Sequence, residues 1–240
     1  MNNYNRVDAP FVVFEGIDGS GKDLLCHSVV EDFSKSDLGS RGLGPFWKTE
    51  EPYLEDITGK KLREALSSKD FDKDMILDLF LQNRFVHTHA ILQKLKKNIA
   101  VFSVRYDLST YAYQSISESI SEKSIEEFFD QLYKRHCYQS LSYQSSNDKA
   151  KSLVPTVTIF CDVKVDVAMK RLEKRREDSK KKLEYFEEVE KLKLISENYQ
   201  KASDYLKKKD DRSIIKIDAN ENQDVVFEKT KNALKELKIF

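Results

Sequence analysis

The chain contains little glycine, seven residues among 240, and only four prolines, three cysteines and one tryptophan. The three cysteines (Cys26, Cys137, Cys161) are odd in number and lack metal-type spacing, so they read as reduced thiols and exclude a disulfide scaffold. No apolar run approaches the roughly 18 residues that a membrane span requires, which excludes a membrane protein. The opening residues, MNNYNRVDAP, carry no apolar segment of a secretory signal, so a secreted protein is not expected either. Net charge is also absent, because 41 basic side chains balance 41 acidic ones. That balance argues against a nucleic-acid binder relying on bulk electrostatics. With 40% hydrophobic and 34% charged residues, the expectation is an ordinary globular protein of the cytoplasm. The length suits one domain of about 200–250 residues or two small ones.

What glycine there is lies clustered. Gly16, Gly19 and Gly21 fall within six residues, Gly39, Gly42 and Gly44 share one loop, and Gly59 is the last in the chain. The first cluster follows a short apolar run, Pro10 to Glu15, that suits a strand buried on both faces. Further strands are expected at Pro45–Thr49, Ile99–Val104, Thr156–Cys161 and Ser213–Ile217. Helical spacing covers about Leu24–Phe33, Ile57–Leu66, Phe71–Lys96, Leu108–Ile120, Ile125–Tyr138, Val165–Arg176, Tyr185–Leu206 and Val225–Leu237. In the long third segment, Met75, Leu79, Phe80, Phe85, Ile91 and Leu95 form the expected apolar stripe. The polar stretch from Gln139 to Ser152 reads as a mobile loop.

Short β-branched runs thus alternate with helical patterns five times, which predicts βαβ units and a five-stranded parallel sheet with helices on both faces. In such α/β sheets ligands collect beyond the carboxyl ends of the strands. The candidate residues are therefore Gly16–Asp23, Glu50–Pro52, Arg105–Thr110, Asp162 and Asp218.

Gly16-Ile17-Asp18-Gly19-Ser20-Gly21-Lys22 matches G-x-x-x-x-G-K between an expected strand and an expected helix. Glycines let successive backbone N–H groups converge on phosphate oxygens, and the helix N-terminus adds partial positive charge. Lys22 supplies a cation for the β- and γ-phosphates. The next position usually carries a hydroxyl that ligates Mg²⁺; here it is Asp23, whose carboxylate can hold Mg²⁺ directly or through water.

Residues Val13 to Lys22 resemble the opening of thymidylate kinases, and the likeness continues along the chain. Thr49-Glu50-Glu51-Pro52 is similar to the family's T-R-E-P. Phe80-Leu81-Gln82-Asn83-Arg84, with His87 beyond, resembles F-x-x-x-R-x-x-H. Arg105 to Gln114 is similar to D-R-Y-x-x-S-x-x-A-Y-Q without its first Asp. Thr158 to Val163, with Ala168 and Arg171, resembles the strand and helix before the family's lid.

The resemblance implies a P-loop NTPase-type three-layer sandwich forming a single domain over residues 1–240, with a tail at 1–10 and a lid at about 171–186. It implies transfer of the ATP γ-phosphate to dTMP, with Mg²⁺, in a homodimer. By the same resemblance Phe80 would stack on the pyrimidine and Arg84 would bond its edge. Arg105 would bridge the acceptor phosphate, Thr110, Tyr113 and Gln114 would line base and sugar, and Glu51 and Pro52 would shape the wall near them. Because the loop offers Gly19 where some members carry a basic residue, the lid would supply the catalytic cation, from Arg175 or Arg176. The four histidines have no metal-ligand spacing and are taken as structural or surface residues.

Three positions depart from the family pattern. Val104 stands where D-R-Y has its Asp, Glu50 replaces the Arg of T-R-E-P, and Asp23 closes the loop motif. One reading is redistribution, with Asp23 supplying the carboxylate that Val104 lacks. Two alternatives stay open: a kinase for another nucleotide or a nucleoside on the same fold, and a nucleotide-binding homologue with weakened catalysis.

Overall fold

Strand β1 (Phe11–Glu15) buries all five side chains, as a strand must when a sheet is covered on both faces. Its side chains alternate between two apolar clusters: Phe11 and Val13 join one, Val12 and Phe14 the other. The computed structural model describes residues 9–35, 45–67, 73–116, 122–141, 153–179 and 188–239. Within them β1 leads through helix α1 (Lys22–Lys35) to β2 (Phe46–Glu50), then α2 (Ile57–Ser67) and α3 (Lys73–Lys96). Strand β3 (Ala100–Val104), α4 (Asp107–Gln114) and α5 (Glu122–Leu141) follow, then β4 (Val157–Asp162) and α6 (Val165–Ser179). Helix α7 (Val189–Asp210), β5 (Ile214–Asp218) and α8 (Gln223–Glu236) complete the order.

All strand pairs are parallel, in the order β2-β3-β1-β4-β5. This is the expected P-loop NTPase-type α/β architecture. The chain leaves β1 toward β2 on one side, whereas it leaves β3 toward β4 on the other. The crevice between the carboxyl ends of β1 and β3 is therefore the topological switch point, where such sheets bind ligands.

The smaller cluster packs Phe11, Val13 and Val101 against Ile91 and Leu95 of α3. The larger one gathers Val12, Phe14, Phe102 and Ile159 with Val29 and Phe33 of α1, Tyr111 of α4, Phe129 of α5 and Tyr199 of α7. No helix among the described residues is long and apolar enough to cross a membrane.

Several boundaries shift from expectation. Helix α4 stops at Gln114 rather than continuing to Ile120, and Ser115 Oγ at its end donates to the carbonyls of Tyr111 (2.6 Å) and Ala112 (3.3 Å). Residues 117–120 lie outside the described residues. Helix α7 starts at Val189, not Tyr185, and runs on to Asp210. On α3 the expected stripe is only partly right. Ile91 and Leu95 are buried, but Met75 is half exposed, and the polar Asn83, Arg84, His87 and Thr88 are buried instead. The expected loop from Gln139 to Ser152 begins as the last turn of α5, and residues 142–152 lie outside the described residues.

Candidate active site

The loop after β1 has the backbone that its glycines predict. Gly16, Gly19 and Gly21 all have positive φ, at 145°, 81° and 86°. Gly19 is further constrained by α6, since a Cβ there would lie 2.5 Å from the Ala168 carbonyl oxygen. Arg171 of α6 fastens the same turn, its guanidinium donating to the carbonyls of Gly19 and Ser20 at 3.4 Å. Ile17 is buried under the turn, and Ser20 N donates to its carbonyl at 3.1 Å. The Ser20 hydroxyl is buried with no hydrogen-bond partner among the described residues. A glycine cradle with an unsatisfied buried hydroxyl suits a phosphate ligand.

Lys22, the first residue of α1, is buried, with its ammonium 3.4 Å from the Ile17 carbonyl and 3.5 Å from Asp18. Burial, then Arg105, lowers its pKa, while Asp18 and Asp23 pull the other way. Asp23 sits 3.7 Å from the same ammonium, but its side chain is 68% exposed, facing solvent at the mouth of the loop.

Arg105 follows β3 directly and ties that strand end to the glycine loop. Its backbone has φ of 67°, a left-handed conformation that costs a non-glycine residue on the order of 1–3 kcal/mol. Two hydrogen bonds hold it there: Arg105 N to Phe14 O at 2.8 Å, and Ser103 Oγ to Arg105 O at 2.7 Å. The strained turn swings the guanidinium under the glycine loop. Nη2 pairs with Asp18 and with the Tyr113 hydroxyl at 3.0 Å, while the guanidinium stacks 4.7 Å from the Tyr113 ring. Nη1 donates to Ser109 Oγ (3.1 Å), Tyr199 Oη (3.2 Å) and the Gly16 carbonyl (3.5 Å). Burial alone would raise the Asp18 carboxyl, but Arg105, Lys22, Tyr113 and Arg175 outweigh it and hold it well below the usual carboxylate range. Asp18, expected among the nucleotide-binding loop residues, thus pairs with Arg105 and accepts from Tyr113 Oη at 2.9 Å, besides facing Lys22.

Beneath this knot lies Glu15, fully buried at the end of β1. It accepts from the backbone N–H groups of Tyr106 (2.8 Å) and Ser109 (3.2 Å), so it caps the N-terminus of α4. Ser109 Oγ donates to it at 2.5 Å and Tyr199 Oη at 3.1 Å. Burial pushes its pKa up, against the pull of Ser109, Arg105 and Tyr106 N–H.

A second buried network centres on Arg84 of α3. Its Nε donates to both oxygens of Glu51 (3.1 and 2.9 Å), and Nη2 to Glu51 and to the Tyr106 carbonyl at 2.9 Å. Nη1 donates to Thr110 of α4. His87 Nδ1 lies 3.0 Å from Glu51 and Nε2 2.8 Å from Thr49 Oγ1. Burial raises the Glu51 carboxyl, yet Arg84 and His87 more than reverse this and bring its pKa to about 2. Glu51 is therefore ionised and accepts only, so His87 Nδ1 carries a proton. The half-buried Pro52 follows Glu51 through a cis peptide bond. Asn83 pins the same turn by bonding Tyr53 N (2.7 Å) and Tyr53 O (2.9 Å).

The remaining expected residues are placed less tightly. Phe80 is half-buried on α3, one helical turn before Arg84. Gln114 ends α4 with its Nε2 buried and without a hydrogen-bond partner among the described residues. Arg175 on α6 is exposed and near enough to help hold Asp18 ionised. Arg176 turns back onto its own helix, with Nε 3.4 Å from the Leu172 carbonyl. The part of the expected lid from residue 180 to 186 lies outside the described residues. Glu50 and Val104 prove to be register partners on neighbouring strands, with Val104 buried and Glu50 exposed.

Sequence reasoning missed Glu15 and Tyr199, and it held Ser109 only as one of the candidates in Arg105–Thr110, with no role assigned. An acid closing an apolar strand was a signal for Glu15. Tyr199 gave none, since it falls in phase with the buried Leu192, Ile195, Ala202 and Leu206 of α7.

A glycine loop between a central strand and a helix, facing an arginine from the neighbouring strand end, defines a P-loop phosphotransferase site. The particular family is settled by comparison. The family model described as thymidylate kinase matches residues 14–134. A thymidylate kinase of Leptospira borgpetersenii is 33% identical over 190 residues, covering 78% of this chain and 80% of its own. Those of Leptospira interrogans and Mycoplasma capricolum are 30% and 32% identical over 220 residues, each covering at least 90% of both chains. The chain belongs to the thymidylate kinase family, a family of nucleoside monophosphate kinases using ATP.

Proposed function

We infer that this protein transfers the γ-phosphate of ATP to dTMP, giving dTDP and ADP. The observation that carries this reading is the direct contact between the two halves of the site. Arg105, from the acceptor side, pairs with Asp18 and reaches the Gly16 carbonyl in the nucleotide loop. A monophosphate held by Arg105 would thus lie beside the γ-phosphate cradled by residues 16–22. An oxygen of the acceptor phosphate attacks the γ-phosphorus as its bond to the β,γ-bridging oxygen breaks, and ADP leaves. No covalent protein intermediate is needed, because positioning and charge neutralisation supply the catalysis.

Lys22 and a lid arginine would neutralise the transferring phosphoryl group. Arg175 is the better placed of the two candidates, since its charge already reaches Asp18. Asp23, exposed beside the loop, would hold Mg²⁺ with the phosphates; one or two carboxylates plus substrate phosphates are a usual Mg²⁺ set. The metal, when bound, neutralises charge on the β- and γ-oxygens.

Acceptor choice follows from the donors of Arg84. Four of its five N–H groups are engaged by Glu51, Tyr106 and Thr110, which leaves one on Nη1. A lone donor meets a carbonyl on the pyrimidine edge and leaves an exocyclic amine unpaired, so thymine is favoured over cytosine. Phe80 supplies an aromatic face one turn away, and Thr110, Tyr113, Gln114 and Pro52 complete the walls.

The same reading takes the chain as one domain with a lid at about 171–186. It also takes the protein as a cytoplasmic homodimer, supported by exposed Met75 and half-buried Leu79 and Phe85 on α3 and by the free, buried Cys26 and Cys161. An assay coupled to ADP release, with dTMP, dUMP and dCMP as acceptors, tests the reaction. Turnover with dTMP well above dCMP is expected. No turnover with any acceptor, despite measurable ATP binding, would instead favour a nucleotide-binding homologue.

A further inference from the structure

Tyr199 lies on α7, 90 residues or more from its polar partners in sequence, and its side chain is fully buried. An aromatic ring in an apolar helix phase is ordinarily packing, and this ring does stack on Phe160 at 5.4 Å with 20° between planes. Its hydroxyl does something that packing does not require. It lies 2.8 Å from Ser109 Oγ, 3.1 Å from Glu15 Oε2, 3.2 Å from the Gly16 carbonyl and 3.2 Å from Arg105 Nη1. One oxygen thus joins the strand-end acid, the nucleotide loop and the acceptor-side arginine.

Donor and acceptor roles follow from the groups present. Arg105 can only donate, so Tyr199 Oη accepts from it. The Gly16 carbonyl can only accept, so the phenolic proton is shared between it and Glu15. Ser109 cannot replace this arrangement, because its own proton goes to Glu15. On the other side Asp18 and Tyr113 hold Nη2. Both terminal nitrogens are therefore clamped, and Arg105 Nε has no partner among the described residues, which leaves that edge to an incoming anion.

We propose that Tyr199 is a positioning residue, whose hydroxyl fixes the Arg105 guanidinium beneath the glycine loop and thereby sets the affinity for the acceptor's phosphate. This rests on the reading of Arg105 as the acceptor-phosphate ligand.

The test compares binding of dTMP with binding of thymidine, which lacks the phosphate, in the full-length Tyr199→Phe protein by titration calorimetry. Phenylalanine keeps the stack on Phe160, and a thermal melt confirms that the fold is retained. The expected result is a roughly ten-fold or greater loss of dTMP affinity, as for a lost hydrogen bond to a charged group, with thymidine binding within about two-fold of the parent. Turnover falls with dTMP affinity, while ATP affinity stays within about two-fold. Equal losses for dTMP and thymidine, or unchanged dTMP binding, would overturn the proposal. Arg105→Ala separates the two levels of the argument. If it abolishes the preference for dTMP over thymidine while Tyr199→Phe preserves it, the role of Tyr199 alone fails. If Arg105→Ala also preserves the preference, the phosphate-ligand reading fails and the proposal falls with it. In the double variant, Tyr199→Phe is expected to add nothing to the loss from Arg105→Ala.

Discussion

At the scale of single residues, the most consequential position is Asp23. A carboxylate in the first turn of a helix is comfortable with the helix dipole, but beside bound phosphates it is repulsive unless a cation intervenes. Its neighbours in this question are Glu50 and Val104, which face each other across β2 and β3. Val104 is buried among apolar side chains of the larger core cluster, so no carboxylate could stand there without a partner. Exposed carboxylates stand instead at Glu50, on the adjacent strand end, and at Asp23 on α1. If Asp23 holds Mg²⁺, Asp23→Ala raises the Mg²⁺ concentration for half-maximal rate by roughly ten-fold, and Asp23→Ser restores most of it. An Asp23→Ala protein with unimpaired Mg²⁺ dependence would remove the metal role from this residue.

Elements are tied together at a second buried ion pair, remote from the glycine loop in sequence. Arg212 follows the end of α7, where Asp211 has φ of 55°, and donates to both oxygens of Asp107 at 2.7 Å. It also bonds Asp210 at 2.7 Å, so one guanidinium joins the end of α7 to the start of α4. Both helices carry site residues, Tyr199 on one and Ser109, Thr110 and Tyr113 on the other. Arg212→Met should cost about 3–5 kcal/mol, because Asp107 is left charged and buried. Urea unfolding measures this, and adding Asp107→Leu should recover much of the loss. A single variant as stable as the parent would show that the pair does not join the helices energetically.

Legibility in the sequence also divided by element. Strands β1, β3 and β4 were readable because burial on both faces demands short continuous apolar runs. The glycine loop was readable because positive φ and the contact with Ala168 leave little choice of residue. Helix α3 was misread in part, since the side chains it buries toward the pocket, Asn83, Arg84 and His87, are polar and break the apolar stripe. The end of α4 was missed because neither glycine nor proline marks it in the sequence. Pair identities such as Asp18 with Arg105, or Glu51 with Arg84 and His87, join separate chain segments. No local pattern encodes those; only the family resemblance brought most of them into one list.

At the scale of the whole molecule, these buried charged and titratable groups make stability depend on pH in a particular order. His136 on α5 is buried beside Tyr111, at 5.6 Å between rings. Burial, reinforced by the positive charge of Arg84, lowers its pKa to about 3. An unfolded chain binds that proton near pH 6.5, so the unfolded state gains protons first as pH falls. Stability contributed by neutral His136 is full above about pH 6.5 and is lost progressively toward pH 3, by at most about 1.4 kcal/mol per pH unit. Glu51, depressed to about 2, has the same sign but a later window, from its ordinary value of 4.5 downward. Asp18 adds its loss below its ordinary 3.8. Glu15 opposes them: its raised pKa contributes stability at low pH that disappears as pH rises through the folded value. The acid limb therefore begins at the histidine, before the carboxylates that are held ionised have moved. Urea unfolding at pH 7.5, 6.0 and 5.0 should show a decline in the parent that is much flatter in His136→Phe, with the two proteins converging in slope only below about pH 3. An identical slope between pH 6.5 and 5 in both proteins would assign the early acid loss elsewhere.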